Sequence, residues 1–317
     1  MSLEVPPTSS PGSIEQRRPA VRRRRRPRVA LGLATGMVFL GLGISLWWGV
    51  RLPAFLESWP APDAGFEPWQ RLGVGVEYAR TSLTRPRPIK GHALRIDLQN
   101  PAVQVVVPRG RGDADGVAQA LLPTSWLRRH GLIVAMNATP FTPYQFPPFV
   151  RTHLQGLAVS AGEQWSPPVP NLDSFVLRPD GQPALVPAMT NAGPVAEGVG
   201  GFLIVLSEGK VRDETLEVDS ATFVGFSADH RWLYWLVADG GQPGYSEGVT
   251  PREGGVLMQQ LGAANALRLD GGGSSALVAS DGWFGARLLN RPRSPIYAGI
   301  CRPVGNVLGV RLRSSGP

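Results

Sequence analysis

A chain of 317 residues, 43% of them hydrophobic, can bury one sizeable core or two small ones, so general disorder is excluded. The net charge of +8 does not mark a nucleic-acid binder, because residues 1–51 hold nine Arg and two Glu, or +7, and leave only +1 for everything after them. One cysteine, Cys301, excludes an internal disulfide and a cysteine-rich metal site, and is expected to be a small buried apolar residue.

Residues 1–28 are rich in Pro, Ser and Arg and read as a disordered, basic, cytoplasmic tail. Residues 29–50 follow with no charge in 22 positions, enough at ~1.5 Å per residue to cross a ~30 Å hydrocarbon core. Trp47 and Trp48 suit the interface, and Arg on one side alone orients the segment with the N-terminus in the cytoplasm. The sequence therefore predicts a single-pass transmembrane anchor and an extracytoplasmic remainder, periplasmic or at the cell surface. The apolar run is too long for the ~7–15 residues of a signal peptide core and ends at no clear cleavage site.

Residues 51–90 carry six prolines and are expected to form a stalk. From residue 91 to 317 short β-like runs dominate, at 92–98, 103–107, 132–136, 157–159, 174–177, 201–206, 222–226, 232–238 and 265–269. Helices are expected only at 116–130, with Pro123 inside it, and at 250–261. No repeat is visible, so the expectation is an α+β fold, a mixed β-sheet domain with few helices.

Three stretches carry chemistry. Residues 269–275 (LDGGGSS) follow a short strand, so Asp270 is expected at its tip, and Gly271, Gly272, Gly273 and Ser274 at a loop open to a ligand. Successive backbone N–H groups in such a loop can cradle an anion, although a simple turn is the competing reading. Residues 238–241 (ADGG) put Asp239 at another strand end, and Thr250-Pro251-Arg252-Glu253 has the pattern of a capping box, which by itself would explain Glu253. If the strands lie side by side, Asp239, Glu253 and Asp270 share one edge. The third stretch, Asn137-Ala138-Thr139-Pro140, taken alone is an ordinary Asx turn.

Together these stretches resemble the phosphodiester glycosidases, the family of the lysosomal uncovering enzyme. The resemblance spans roughly residues 91–312 and is strongest over 236–278, where ADG, then SEGVTPREGG, LGA and LDGGGSS follow the family's order. It implies hydrolysis of the sugar C1–O bond of a glycosyl-1-phosphodiester, with Glu253 and Asp270 as the carboxylate pair, Asp239 as a third candidate and no cofactor. It also implies substrate contacts from Asn137, the glycine loop, Ser274, Asn290, Arg302 and Asn306. One position departs: where the family often has Arg, before a Thr-Ala-hydrophobic-Gly strand, this chain has Ala221, which leaves phosphate binding to Arg302 or Arg252. The chemistry suits two carboxylates without a strong general acid, since the departing phosphomonoester is a better leaving group than a sugar alkoxide.

Other hydrolases fit poorly. His92, His130, His153 and His230 show no ligand spacing for a two-metal phosphodiesterase, and no His follows 272–276 (GGSSA) to complete a serine hydrolase. The alternative from another class is a non-catalytic envelope module that binds glycans or phosphopolymers, with Trp165, Trp232, Trp235 and Trp283 as stacking surfaces.

Overall fold

The computed structural model describes residues 63–110, 113–144, 150–214, 217–282, 285–293 and 301–313. Its larger sheet has eight strands in the order Gln70–Gly73, Val76–Leu83, Ile89–Asp97, Trp232–Ala238, Ala221–Phe226, Asn265–Arg268, Leu203–Ser207 and Lys210–Val211. A second sheet runs Arg287–Leu288, Leu277–Ala279, Val134–Asn137, Val307–Leu312 and Val103–Val106. Two further sheets, of five and three strands, complete the β-structure among the described residues. Among the described residues there are two α-helices, α1 (Pro123–Arg129) and α2 (Pro251–Leu261). The expected β-rich content with few helices is met, and every named strand pair is antiparallel.

The layering follows from which faces are apolar. Strand Trp232–Ala238 reads as an almost unbroken apolar run because both of its faces are buried. Leu233, Trp235 and Val237 pack into the core between the two large sheets, against Val134, Met136 and Leu308, while Tyr234, Leu236 and Ala238 face α2. Behind the second sheet, Ala135, Val278 and Val307 pack on Trp126 and Leu127 of α1. The order of layers is thus α2, large sheet, second sheet, α1.

Helix α2 forms where its sequence signals put it. Thr250 caps it, its hydroxyl accepting from Glu253 N–H at 3.2 Å while the Glu253 carboxylate accepts from Thr250 N–H at 2.8 Å, and Gly262 at φ +104° closes it. Inside the helix Gly254 lies so close to the sheet that a Cβ there would sit 2.1 Å from the Phe223 ring. That contact explains a glycine which costs about 1 kcal/mol of helix propensity.

Two expectations change. The helix predicted over 116–130 starts only at Pro123, and Val117–Gln119 is instead a strand paired with Arg151–Leu154. Gly116 at φ +76° turns the chain there, and proline suits the first helical position better than an interior one. Within the segment assigned to a stalk, Gln70–Gly73 and Val76–Leu83 are strands of the large sheet, so the folded part begins before residue 91. Residues 29–50 lie outside the described residues, among which no helix is long and apolar enough to cross a membrane.

Candidate active site

Strands Trp232–Ala238 and Asn265–Arg268 flank Ala221–Phe226 and are both antiparallel to it. They therefore run in the same direction and deliver Asp239 and Asp270 to one edge, with Ser220 between them. The second sheet ends at the same edge and is clipped to the first there. Asp270 N–H donates to Ala138 C=O at 3.0 Å, and Asn137 Nδ2 donates to Asp270 C=O at 2.7 Å. Asn137 Oδ1 accepts from Thr222 Oγ1 at 2.8 Å and Ala276 N–H at 3.0 Å. Asn290 and Asn306 act alike: Asn290 bridges Leu277 N–H, Ser275 C=O and Asp239, and Asn306 holds both the N–H and the hydroxyl of Thr139. All three asparagines are buried, with their amides engaged by protein groups.

Glycine loop 271–273 is shaped by what surrounds it. A Cβ on Gly271 would meet Ser220 C=O at 2.8 Å, and Gly272 adopts φ +58°. Gly273 faces Arg302, whose Nη1 would stand 3.2 Å from a Cβ at that position. The expected backbone nest does not form. The N–H groups of Gly272, Ser274 and Ser275 donate to main-chain carbonyls, and that of Gly271 to Asp270 Oδ1 at 3.0 Å.

Asp270 is buried, and its Oδ2 finds no hydrogen-bond partner at proper geometry. Burial pushes its pKa up to about 6, against the opposing pull of the Ser274 hydroxyl and the Arg302 charge. Ser274 Oγ itself accepts from Arg302 Nε at 2.9 Å and Nη2 at 2.7 Å. The same guanidinium lies 4.3 Å from the ring centre of Tyr144, a side chain 57% exposed.

Asp239 sits in a different environment. Its side chain is fully buried and takes Asn290 Nδ2 at 2.9 Å, Arg291 N–H at 3.1 Å and Tyr245 Oη at 3.0 Å, with His92 Nε2 at 3.4 Å. Tyr78 Oη is 2.7 Å from His92 Nδ1 on the far side of that ring. Burial first, and the Asp239 charge next, push the Tyr245 hydroxyl well above the usual tyrosine range. Glu253 is partly exposed at the start of α2, where its Oε2 also accepts from Arg87 Nη2. Partial burial acts to raise its pKa and is outweighed by the Thr250 N–H and Arg87, which together hold it below the ordinary glutamate value.

Several groups at this edge had no motif to announce them. Asp219 is tied to the segment leading into α2 by the paired backbone of Asp219 and Val249, and its Oδ2 would stand 3.3 Å from a Cβ on Gly272. It is bridged to Arg293 at 3.3 Å. Position 221, where the resemblance implies arginine, holds a buried alanine, and a guanidinium on the same face of the sheet is that of Arg268, paired with Phe223 two residues along. Arg252, by contrast, projects to Asp213 at 3.1 Å from the exposed side of α2. Trp165 and Trp235 are buried, and Trp232 is covered by Arg95 and Arg231, so none offers a free stacking face; Trp283 lies outside the described residues.

The phosphodiester glycosidase family profile matches residues 130–311, more than half of the chain, and covers Asp219, Asp239, Glu253, Asp270 and Arg302. The chain belongs to this family. Among solved structures, the zebrafish N-acetylglucosamine-1-phosphodiester alpha-N-acetylglucosaminidase catalytic domain, auto-inhibited by its pro-peptide, is similar at 19% identity with a TM-score of 0.60, over 79% of this chain and 89% of that one. A hypothetical protein from Synechocystis is similar at 16% identity and a TM-score of 0.55, covering 79% of this chain and 64% of that one. A putative exported protein from Burkholderia pseudomallei follows at 13% identity and 0.52, over 71% and 74%. These likenesses establish a shared fold. No curated protein sequence matches significantly. Membership of the phosphodiester glycosidases supports a glycosidase-type function.

Proposed function

We propose that this phosphodiester glycosidase hydrolyses the sugar C1–O bond of glycosyl-1-phosphodiesters, with Asp270 acting in its ionised form on C1 or on the attacking water. The observation that carries this reading is the environment of Asp270, buried beside Arg302 and followed by three glycines, two of which, Gly271 and Gly273, lie where a side chain would meet Ser220 C=O or Arg302. A carboxylate whose pKa is raised to about 6 is ionised at neutral pH yet basic enough to take a proton. In this reading the phosphate is received by Arg302, and its contacts with Ser274 and Tyr144 support that role.

The second carboxylate is assigned to Glu253, which Arg87 and the helix start hold ionised. Asp239 takes the positioning role, since its oxygens anchor the 290–291 turn. Asn137, Asn290 and Asn306 support the reading from below, by fixing the loop on which substrate rests.

Release of free sugar from a panel of sugar-1-phosphodiesters tests the reading. Asp270→Asn and Glu253→Gln are each expected to lower the rate at least ~100-fold, the low end of what a positioned acid or base supplies. Full activity in both variants would overturn the assignment of these two carboxylates, and absence of sugar release by the wild type would favour a glycan-binding module. Loss in Asp270→Asn alone moves the second role to Asp219, which borders the same loop.

The composition of residues 1–50 supports a further proposal, that the enzyme is anchored by 29–50 with its folded part outside the cytoplasm, where envelope or exported glycans are the substrates. Protease added to intact spheroplasts is expected to digest the folded part. Protection of that part until the membrane is broken would refute the orientation.

A further inference from the structure

The cations around glycine loop 271–273 are not equivalent. Arg302 is held by Ser274 and backed by Phe141 and Tyr144, and Arg293 is paired with Asp219. Arg268 has no such arrangement. Its Nε is buried without a hydrogen-bond acceptor, and its Nη2 would stand 3.8 Å from a Cβ on Gly271. Phe202 covers it loosely, with 5.7 Å from the guanidinium carbon to the ring centre. Burial lowers its pKa, opposed by the charges of Asp219 and Asp270, so both carboxylates are near enough to act on it.

A guanidinium Nε–H buried with no acceptor is unfavourable unless something completes it. What is missing is an acceptor, and the position of the side chain says where that acceptor binds. Arg268 and Phe223 face each other across paired strands, and Asp270 is two residues further along the chain. Arg268 and Arg302 thus both act electrostatically on Asp270, which itself has an unpartnered oxygen. An anion over the glycine loop would meet planar donors from both, and Arg presents such donors in a fork that fits phosphate oxygens.

We propose that Arg268 is a specificity-determining residue of this site, binding a phosphate oxygen of the substrate across the glycine loop from Arg302. It rests on the glycosyl-phosphodiester reading for the identity of the anion. The anion site itself can be tested without catalysis.

Binding of inorganic phosphate to the full chain, measured by titration calorimetry at pH 7.5, is the first measurement. Arg268→Gln is expected to weaken it at least tenfold, and Arg268→Lys, which keeps the charge but loses the fork, to recover part of that loss. In parallel, Arg268→Gln should lower kcat/KM for a sugar-1-phosphodiester at least tenfold more than for the nitrophenyl glycoside of the same sugar. If the Gln variant does not fold, the Lys variant carries the test, and it must still bind phosphate more weakly than the wild type.

Wild-type phosphate affinity in both variants, or equal losses on the charged and the neutral substrate, would overturn the proposal and leave Arg268 a structural residue. No phosphate binding by the wild type would overturn it as well. Phosphate binding that depends on Arg268, in a chain that cleaves no phosphodiester, would instead retain the anion site and reject the hydrolytic reading.

Discussion

Asp270 joins function and stability in one side chain. Its folded pKa of about 6 lies above the value of ~3.9 for an unfolded Asp, so the folded state binds the proton more tightly. Its contribution to stability is therefore most favourable below about pH 4 and is lost as pH rises through 6. Asp270→Asn removes the buried charge, so it is expected to be more stable than the wild type by roughly 2–3 kcal/mol above pH 7, with the difference closing below pH 4. Thermal melts across that range check it; a difference independent of pH would mean that the carboxyl is not buried as described. The same titration belongs in the rate. Because the ionised form is the reactive one, kcat should fall as pH drops through about 6, and a rate that is level from pH 5 to 8 would rule out Asp270 as the base or nucleophile. Glu253→Gln should behave differently: Gln still serves the capping box, so its stability should change by less than ~1 kcal/mol while its activity falls.

Single residues at this edge were legible from sequence where a backbone constraint accompanied them. Asp270 was visible because three glycines follow it, and Glu253 because it closes a capping box with Thr250. Asp219, Arg268 and His92 were not, because nothing beside them in the chain marks them, and their partners Gly272, Asp270 and Asp239 are brought near only by the sheet. The asparagines were found but their work was not, since an amide that clips two sheets together and one that touches a substrate read alike in sequence. The clip makes its own prediction. Asn137→Ala would leave Thr222 Oγ1, Ala276 N–H and Asp270 C=O without their buried partner. At about 1–3 kcal/mol for each group left unsatisfied, the loss should be on the order of 3 kcal/mol or more, read as a lower denaturation midpoint. An effect below ~1 kcal/mol would show that water replaces the amide and that the joint between the two sheets does not depend on it.

For the molecule as a whole, the apolar strands at its centre were readable because burial on both faces leaves little room for polar residues, as in Trp232–Ala238. The edge of the large sheet was not. Val76–Leu83 mixes Glu77, Arg80, Thr81 and Ser82 with its apolar residues, and the prolines around it gave the whole stretch the look of a spacer. In the folded protein that strand pairs with Ile89–Asp97 along its full length, with Val76 in the core between the sheets and Tyr78 reaching His92 behind Asp239. A boundary drawn at residue 91 therefore removes two strands and cuts into a third. It bares the backbone of the remainder as a new edge, next to Leu94 and Ile96, the kind of edge that pairs with other chains. A chain starting at residue 52 is expected to elute as a discrete soluble species with a cooperative melt, and one starting at 91 to aggregate or to lose that melt. Comparable solubility and melting of the two would show that the first two strands are dispensable, and with them the support that Tyr78 gives to His92 and the buried Asp239.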